Sequence, residues 1–374
     1  MACPFEPAIP AHLQKERTCP AKLQPNFTPP FPGYTSRFPH NAKDIVTAVV
    51  GVQYKSKTDN DGEAIAKIRS FMEVSSSTTP AFWDLASVTD NTGAYNIAIL
   101  GDWASTAQYH EWTKESGFGE WWESLDNLNE SHGWFLEVLM PSMDRWEHVA
   151  SGQDVREAGG RMCEYFSEPI LEHGYWGSMR DRIPVTQTDA LEGSKRTDSM
   201  VDGANKWGGG EQKDAGVYSH RVRVQGQKNL CVIRSGQDWS ATRPEERKLY
   251  LEKMHPTLIK GMEFLRDKGD EVGCYSNRFM EILNPGTGIH DTDKTFGLAY
   301  FDELASLEGW SKKHKTHLDI FGGFLKYTKD LNFEISLKLW HDVMVLKPEQ
   351  QFFEYVGCHD GTGMLALFKG KEHD

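Results

Sequence analysis

Two stretches decide the fold: YNIAILGDWASTAQYHEW (95–112) and KTFGLAYFDELASLEGW (294–310). Each opens as an apolar strand and continues as a helix, so the chain holds a weak internal repeat. Ahead of the first stretch, IVTAVVGVQY (45–54) reads as a strand and AIAKIRSFMEV (64–74) as a helix, and HGWFLEVLM with DRWEHV closes that half. In the second half VYSHRVRV (217–224) and NLCVIRSGQDW (229–239) read as strands, and LKLWHDVMV followed by QFFEYV repeats the closing pattern. A long helix is expected from Thr242. Its start, T-R-P-E, combines a threonine cap, an early proline and a glutamate, and Leu251, Met254, Leu258, Met262 and Leu265 recur at helical spacing.

The fold class that follows is α+β, with two tandem ferredoxin-like halves whose helices cover one sheet face and leave the other for a pocket or a dimer contact. A doubly wound α/β sheet is less suited, because no glycine-rich turn follows the first strand. Nine of the seventeen prolines lie in residues 1–40, which predicts an extended arm over the body, remote from the chemistry. The expected division is arm 1–40, first half 41–150, connecting segment 151–216 and second half 217–374. The connecting segment ends in an irregular, exposed excursion from Leu191 to Gly216.

The formal charge of −13 argues against a nucleic-acid surface, and small neutral substrates suit it better. No apolar run is long enough to span a bilayer and the N-terminus lacks the pattern of a secretion signal, so a cytoplasmic location is expected. Six scattered cysteines without a C-x-x-C pair read as reduced thiols. Twelve tryptophans and nineteen phenylalanines suit either aromatic walls around a flat ligand or simply a large aromatic core.

Five residues could carry chemistry. HGYWGSMRDR (173–182) has no helical or strand periodicity and reads as a functional loop, although Arg180 and Arg182 read equally as surface cations on a glycine turn. His341 shares its strand face with Ile335, Leu337, Leu339, Val343 and Val345, which makes it either a satisfied core histidine or a tunable acid or base. His317 is followed at helical spacing by Phe321 and Phe324 and could be an axial haem ligand or equally a helix-end histidine beside core phenylalanines, with His314 competing for any ligand role. Ser235 ends an apolar strand at a glycine turn but lacks the flanks of a nucleophile elbow. Glu147 lies beside Trp146 and could be an ordinary surface glutamate.

Taken together, HGYWGSMRDR, IRSGQDW, GCYSNRF (273–279), KTHLDIF, the His341 strand and CHDGTGML (358–365) closely resemble the aldoxime dehydratases, a family of haem lyases. The likeness runs over nearly the whole chain after the arm. It implies removal of water from an aldoxime, R–CH=N–OH, to give a nitrile, with the oxime nitrogen bound directly by ferrous haem b. By the resemblance His317 is the iron ligand, His341 the distal acid, and Ser235 the residue that bonds the oxime hydroxyl. Arg182 and Glu147 complete the distal pocket. The family also implies haem between sheet and helices, a dimeric α+β barrel type of fold, and a homodimer. A haem peroxidase or chlorite-decomposing enzyme on a related fold would also use a proximal histidine and a distal arginine, but from ferric haem and an oxidant.

Overall fold

The computed structural model describes residues 5–125, 131–195, 212–213, 217–218 and 221–368. Its strands are β1 (Tyr34–Arg37), β2 (Val46–Tyr54), β3 (Phe82–Thr89), β4 (Tyr95–Trp103), β5 (Gly133–Leu139), β6 (Trp146–Ala150), β7 (Tyr165–Phe166), β8 (Gln212–Lys213), β9 (Val217–Tyr218), β10 (Arg221–Val224), β11 (Leu230–Asp238), β12 (Cys274–Leu283), β13 (Lys294–Phe301), β14 (Lys338–Leu346) and β15 (Gln351–Val356). The helices are α1 (Glu63–Met72), α2 (Thr106–Glu115), α3 (Phe118–Ser124), α4 (Ser178–Arg182), α5 (Pro244–Leu249), α6 (His255–Lys268), α7 (Leu304–Lys313) and α8 (Lys315–Asp330).

Both halves run strand, helix, strand, strand, helix, strand. In the first the spatial order is β5-β2-β4-β3, and in the second it is β12-β13-β11-β14. The two sets join edge to edge where β3 pairs antiparallel with β12, through Leu85–Leu283, Ala86–Ile282 and Ser87–Glu281. Each half then lends its closing strand to the other. β6 pairs with β14 and β15 with β5, so all these strands form one 13-stranded sheet.

The sheet curls. Asp84 on β3 and Arg234 on β11 are three strands apart, roughly 14 Å on a flat sheet, yet their side chains meet at 2.7 Å. Glu137 on β5 likewise accepts hydrogen bonds from Arg278 on β12 and from Tyr300 on β13. The inner face is thus one core shared by both halves, holding Val49, Leu100 and Phe135 with Val232, Leu298 and Met344. This corrects the expectation of a face left free for a pocket or partner. The buried ion pairs inside also show why strands such as FWDLASVT do not read as purely apolar.

The outer face carries the helices. In the first half it is filled by Trp103, Trp112, Phe118 and Trp122 over Val46, Val50 and Ile99.

Several local expectations are corrected. The long helix starts at Pro244 after Arg243, because Thr242 bonds the Trp239 carbonyl instead of capping. A π-helical turn, Tyr250–Met254, interrupts it and leaves Leu251 exposed while Met254 and Leu265 are buried. VYSHRVRV divides into β9 and β10. Ile335 and Leu337 precede β14, which begins at Lys338. The arm ends as β1, a strand between β6 and β7, since Tyr34–Arg37 contains no proline to interrupt the ladder. Cys19, Cys163, Cys231, Cys274 and Cys358 are free thiols, whereas Cys3 and most of the 191–216 excursion lie outside the described residues.

Candidate active site

One row of side chains distinguishes the two halves. Across the first half's sheet, Leu85, Ile99, Val50 and Leu136 are direct cross-strand neighbours, all buried. The corresponding row of the second half is Phe279, Gly297, Ser235 and His341. Ile99 and Gly297 stand equally far before the helix caps Ser105 and Glu303, which fixes the correspondence. A small residue, a hydroxyl and an imidazole thus replace three aliphatic side chains.

Apolar packing on the second half's outer face is split as a result. One cluster gathers Cys231, Ala299, Val343 and Trp310, and another Trp239, Tyr250, Met254 and Tyr327. Between them Ile233, Ser235, Leu339 and His341 are only half-buried. Ser235 and His341 face each other across the β11–β14 ladder.

α4 brings in the third group. Gly177 (φ 104°) precedes it in a conformation that suits glycine, and the chain then turns to drive Arg182 inward. Arg182 donates from Nε to Glu147 Oε2 and from Nη2 to Oε1, each at 2.9 Å, with both side chains 2% exposed. His341 Nε2 lies 2.9 Å from Arg182 Nη2 and 3.0 Å from Glu147 Oε1. That nitrogen therefore has an acceptor when it carries a proton and a donor when it does not. Among the described residues nothing bonds His341 Nδ1 or the Ser235 hydroxyl, so both remain available to a substrate.

Burial pushes the Glu147 carboxyl up, but Arg182 and His341 more than offset this and hold it at about 2, below its usual 4.5. A depressed carboxylate stabilises the fold above its unfolded pKa and loses that contribution as pH falls through the folded one. The stability difference between wild type and Glu147→Gln is therefore expected to shrink progressively as pH falls from 4.5 toward 2, measured by denaturant unfolding at a series of pH values.

His317 lies on α8, the helix expected from its aromatic spacing. Its ring meets Trp310 at 4.8 Å and Trp176 at 5.9 Å, both edge-on, and its buried Nδ1 has no hydrogen-bond partner. Burial pushes this imidazole down to about 4 against the opposing Ser311 backbone, so it is neutral near pH 7. Neutral imidazole is the form that binds metal. The competitor His314 is already used: it caps α8, accepting from the Thr316 amide, and stacks on Phe264 at 4.0 Å.

Phe321 contacts Trp176 at 5.2 Å, and Phe324 joins the cluster that includes Leu339. Two neighbours were missed from sequence. Phe31 of the arm packs edge-on against Phe324 (6.3 Å) and His173 (5.1 Å), and burial, Arg182 and His341 push His173 down to about 3. The arm is fastened there by Asp181, whose carboxylate accepts the Lys22 and Leu23 amides. The signal available was FTPPFPGY itself, aromatic between prolines. Arg180, by contrast, faces away and pairs with Glu308.

A separate cleft of about 670 Å³ opens where the halves meet, lined by Asp90, His255, Asn277, Phe279 and His359. It touches the row only at Phe279 and includes neither His317 nor His341. Chemistry, more than size, marks the site.

Residues 48–364 match the family model of haem-containing dehydratases. This chain belongs to that family. An aliphatic aldoxime dehydratase of Rhodococcus globerulus is 37% identical over 96% of this chain and 98% of its own length. A phenylacetaldoxime dehydratase of a Bacillus species is 29% identical over 93% and 94%. A solved aldoxime dehydratase, crystallised with butyraldoxime, superposes with a TM-score of 0.86 at 35% identity, each chain covered to 96%.

The residues of this haem-containing dehydratase fit the group. Among the described residues no cluster of three or more His, Cys, Asp or Glu could hold a bare metal ion. A half-buried, neutral imidazole whose Nδ1 has no hydrogen-bond partner suits an iron that brings its own macrocycle. Gly297 adds no side chain of its own there, and the end of Met262 lies over it. A Cβ there would lie 2.9 Å from Met262 Sδ, the flexible tip of a side chain. Gly297→Ile is accordingly expected to fold, as Ile99 does in the first half, but to hold haem about tenfold more weakly, roughly 1.4 kcal/mol, as read from hemin titration.

Proposed function

We propose that the chain converts aldoximes to nitriles, R–CH=N–OH to R–C≡N and water, at the Gly297–Ser235–His341 row. Haem b, held through ferrous iron by His317 between the sheet and α8, would supply an open metal position that takes up the lone pair of the oxime nitrogen. The chain's own residues act on the oxygen. Hydroxide is a poor leaving group, so His341 gives it a proton from Nδ1 and water departs. A positioned acid of this kind contributes about 10²- to 10⁴-fold. The Ser235 hydroxyl, its cross-strand neighbour, holds the oxime oxygen within reach.

Glu147 accepts from His341 Nε2 and so stabilises the imidazolium, while Arg182 keeps Glu147 ionised and in place. Once its proton is spent, the neutral imidazole can receive the hydrogen that must leave the aldoxime carbon. One proton is delivered and one recovered, with no net oxidation.

The observation that carries this reading is the buried Arg182–Glu147 pair holding the half-buried His341, in a row that the first half builds from aliphatics. The strand order of each half supports two ferredoxin-like units, with 217–374 as the haem-binding one. A homodimer and a cytoplasmic location complete the reading, in keeping with a chain whose described helices are none of them long and apolar enough to cross a membrane.

The test is an absorption spectrum after dithionite, with and without butyraldoxime, alongside quantified nitrile. A haem band that shifts with the aldoxime, and nitrile formed without an oxidant, are expected. A protein that stays colourless when supplied with hemin would overturn the proposal.

A further inference from the structure

Behind the outer His341–Glu147 pair, on the inner face of the same two strands, lies a second histidine–carboxylate pair with the partners exchanged. His148 follows Glu147 on β6, and Asp342 follows His341 on β14. His148 and Asp342 are direct cross-strand partners, with Nδ1 2.5 Å from Oδ1 and side chains 0% and 2% exposed. The second carboxylate oxygen of Asp342 accepts the Gly159 amide at 3.0 Å, and the His148 carbonyl accepts from the Thr35 hydroxyl. Nothing in the reaction proposed above uses this pair.

We propose that His148 and Asp342 are positioning residues, which pin β6 to β14 in the one register that brings Glu147 to His341. Strand side chains alternate and β14 is held in register by β11, so a one-residue slip of β6 would turn Glu147 away from His341 and into the core. Apolar packing resists such a slip weakly here, because β6 is buried on both faces. A buried polar pair resists it strongly, since a slip leaves both groups unpartnered.

The first half supplies the control. The place of Asp342 is taken there by Glu137, whose cross-strand partner is Phe353. Glu137 turns instead to Arg278, Tyr300 and Tyr355, and no imidazole–carboxylate pair spans those strands. The half whose row is aliphatic is the half without the inner pair.

The inference rests on the role given to His341, so its test includes a readout independent of turnover. His148→Leu removes the donor to Asp342, whereas the amide of His148→Asn can replace Nδ1–H. In the haem-loaded protein His148→Leu is expected to keep its haem and its KM for butyraldoxime but to lose about 10²-fold in kcat, the scale of an ångström's misplacement. His148→Asn is expected to recover most of that loss. Nitrogen-15 spectra of labelled histidine should show the His341 ring in one tautomer in wild type and Asn variant, and in a mixture in the Leu variant.

Wild-type kcat in folded His148→Leu, or an Asn variant as slow as the Leu variant, would overturn the proposal. If His148→Leu does not fold, Asp342→Leu and Asp342→Asn are read by the same criteria. A wild-type protein inactive on aldoximes, yet showing the tautomer change, would refute the assigned reaction and leave the positioning role standing.

Discussion

Replacing His317 by alanine is expected to lower the haem-to-protein ratio at least about tenfold while leaving the chain folded. Loss of groups that merely orient a ligand already costs 10–100-fold in affinity, and His317 is assigned as the ligand itself. Its ring is only half-buried, so truncation removes limited packing against Trp310 and Trp176. Far-UV circular dichroism should match wild type. Free imidazole, small enough to enter the vacated space, should restore part of the haem band. Normal haem retention by the variant would move the ligand role to another histidine, although His314 is engaged as a helix cap.

Replacing His341 by alanine is expected to do the reverse. Haem stays, and nitrile production falls by about 10²- to 10⁴-fold, the contribution of a positioned acid. The bidentate Arg182–Glu147 pair does not depend on His341 and keeps its geometry, so binding of an aldoxime, followed by its spectral shift, should survive. Measuring haem absorbance and nitrile in the same preparation separates the two variants. Nitrile at the wild-type rate would remove His341 from the mechanism.

Much of the fold was legible because it depends on local pattern. β2 and β4 are strongly apolar over nine residues each, and α8 follows the spacing of His317, Phe321 and Phe324. The errors fall where local and tertiary preferences compete. T-R-P-E has the composition of a cap, but the Trp239 carbonyl claims the Thr242 hydroxyl. The tail of HGYWGSMRDR is helical because Gly177 turns the chain and Arg182 finds a buried partner; its own spacing predicts no helix.

The candidate site was legible residue by residue and not as an arrangement. His341, Ser235, Glu147, Arg182 and His317 come from five segments, and nothing in periodicity joins them. Gly297 was invisible as a functional position because a glycine in a strand has many explanations. Phe31 was passed over because proline-rich arms seldom enter a site.

The amino-acid sequence by itself determined the repeat, the strand faces and the family, since these rest on residue order and on motifs that survive without coordinates. Only the tertiary structure decided that β6 and β15 change places between the halves, that the sheet curls until Asp84 meets Arg234, and that one half's row is aliphatic and buried while the other's sets a half-buried Ser235 beside a half-buried His341. Pairing between strands far apart in the chain is set by the joint packing of both faces, which no local pattern encodes.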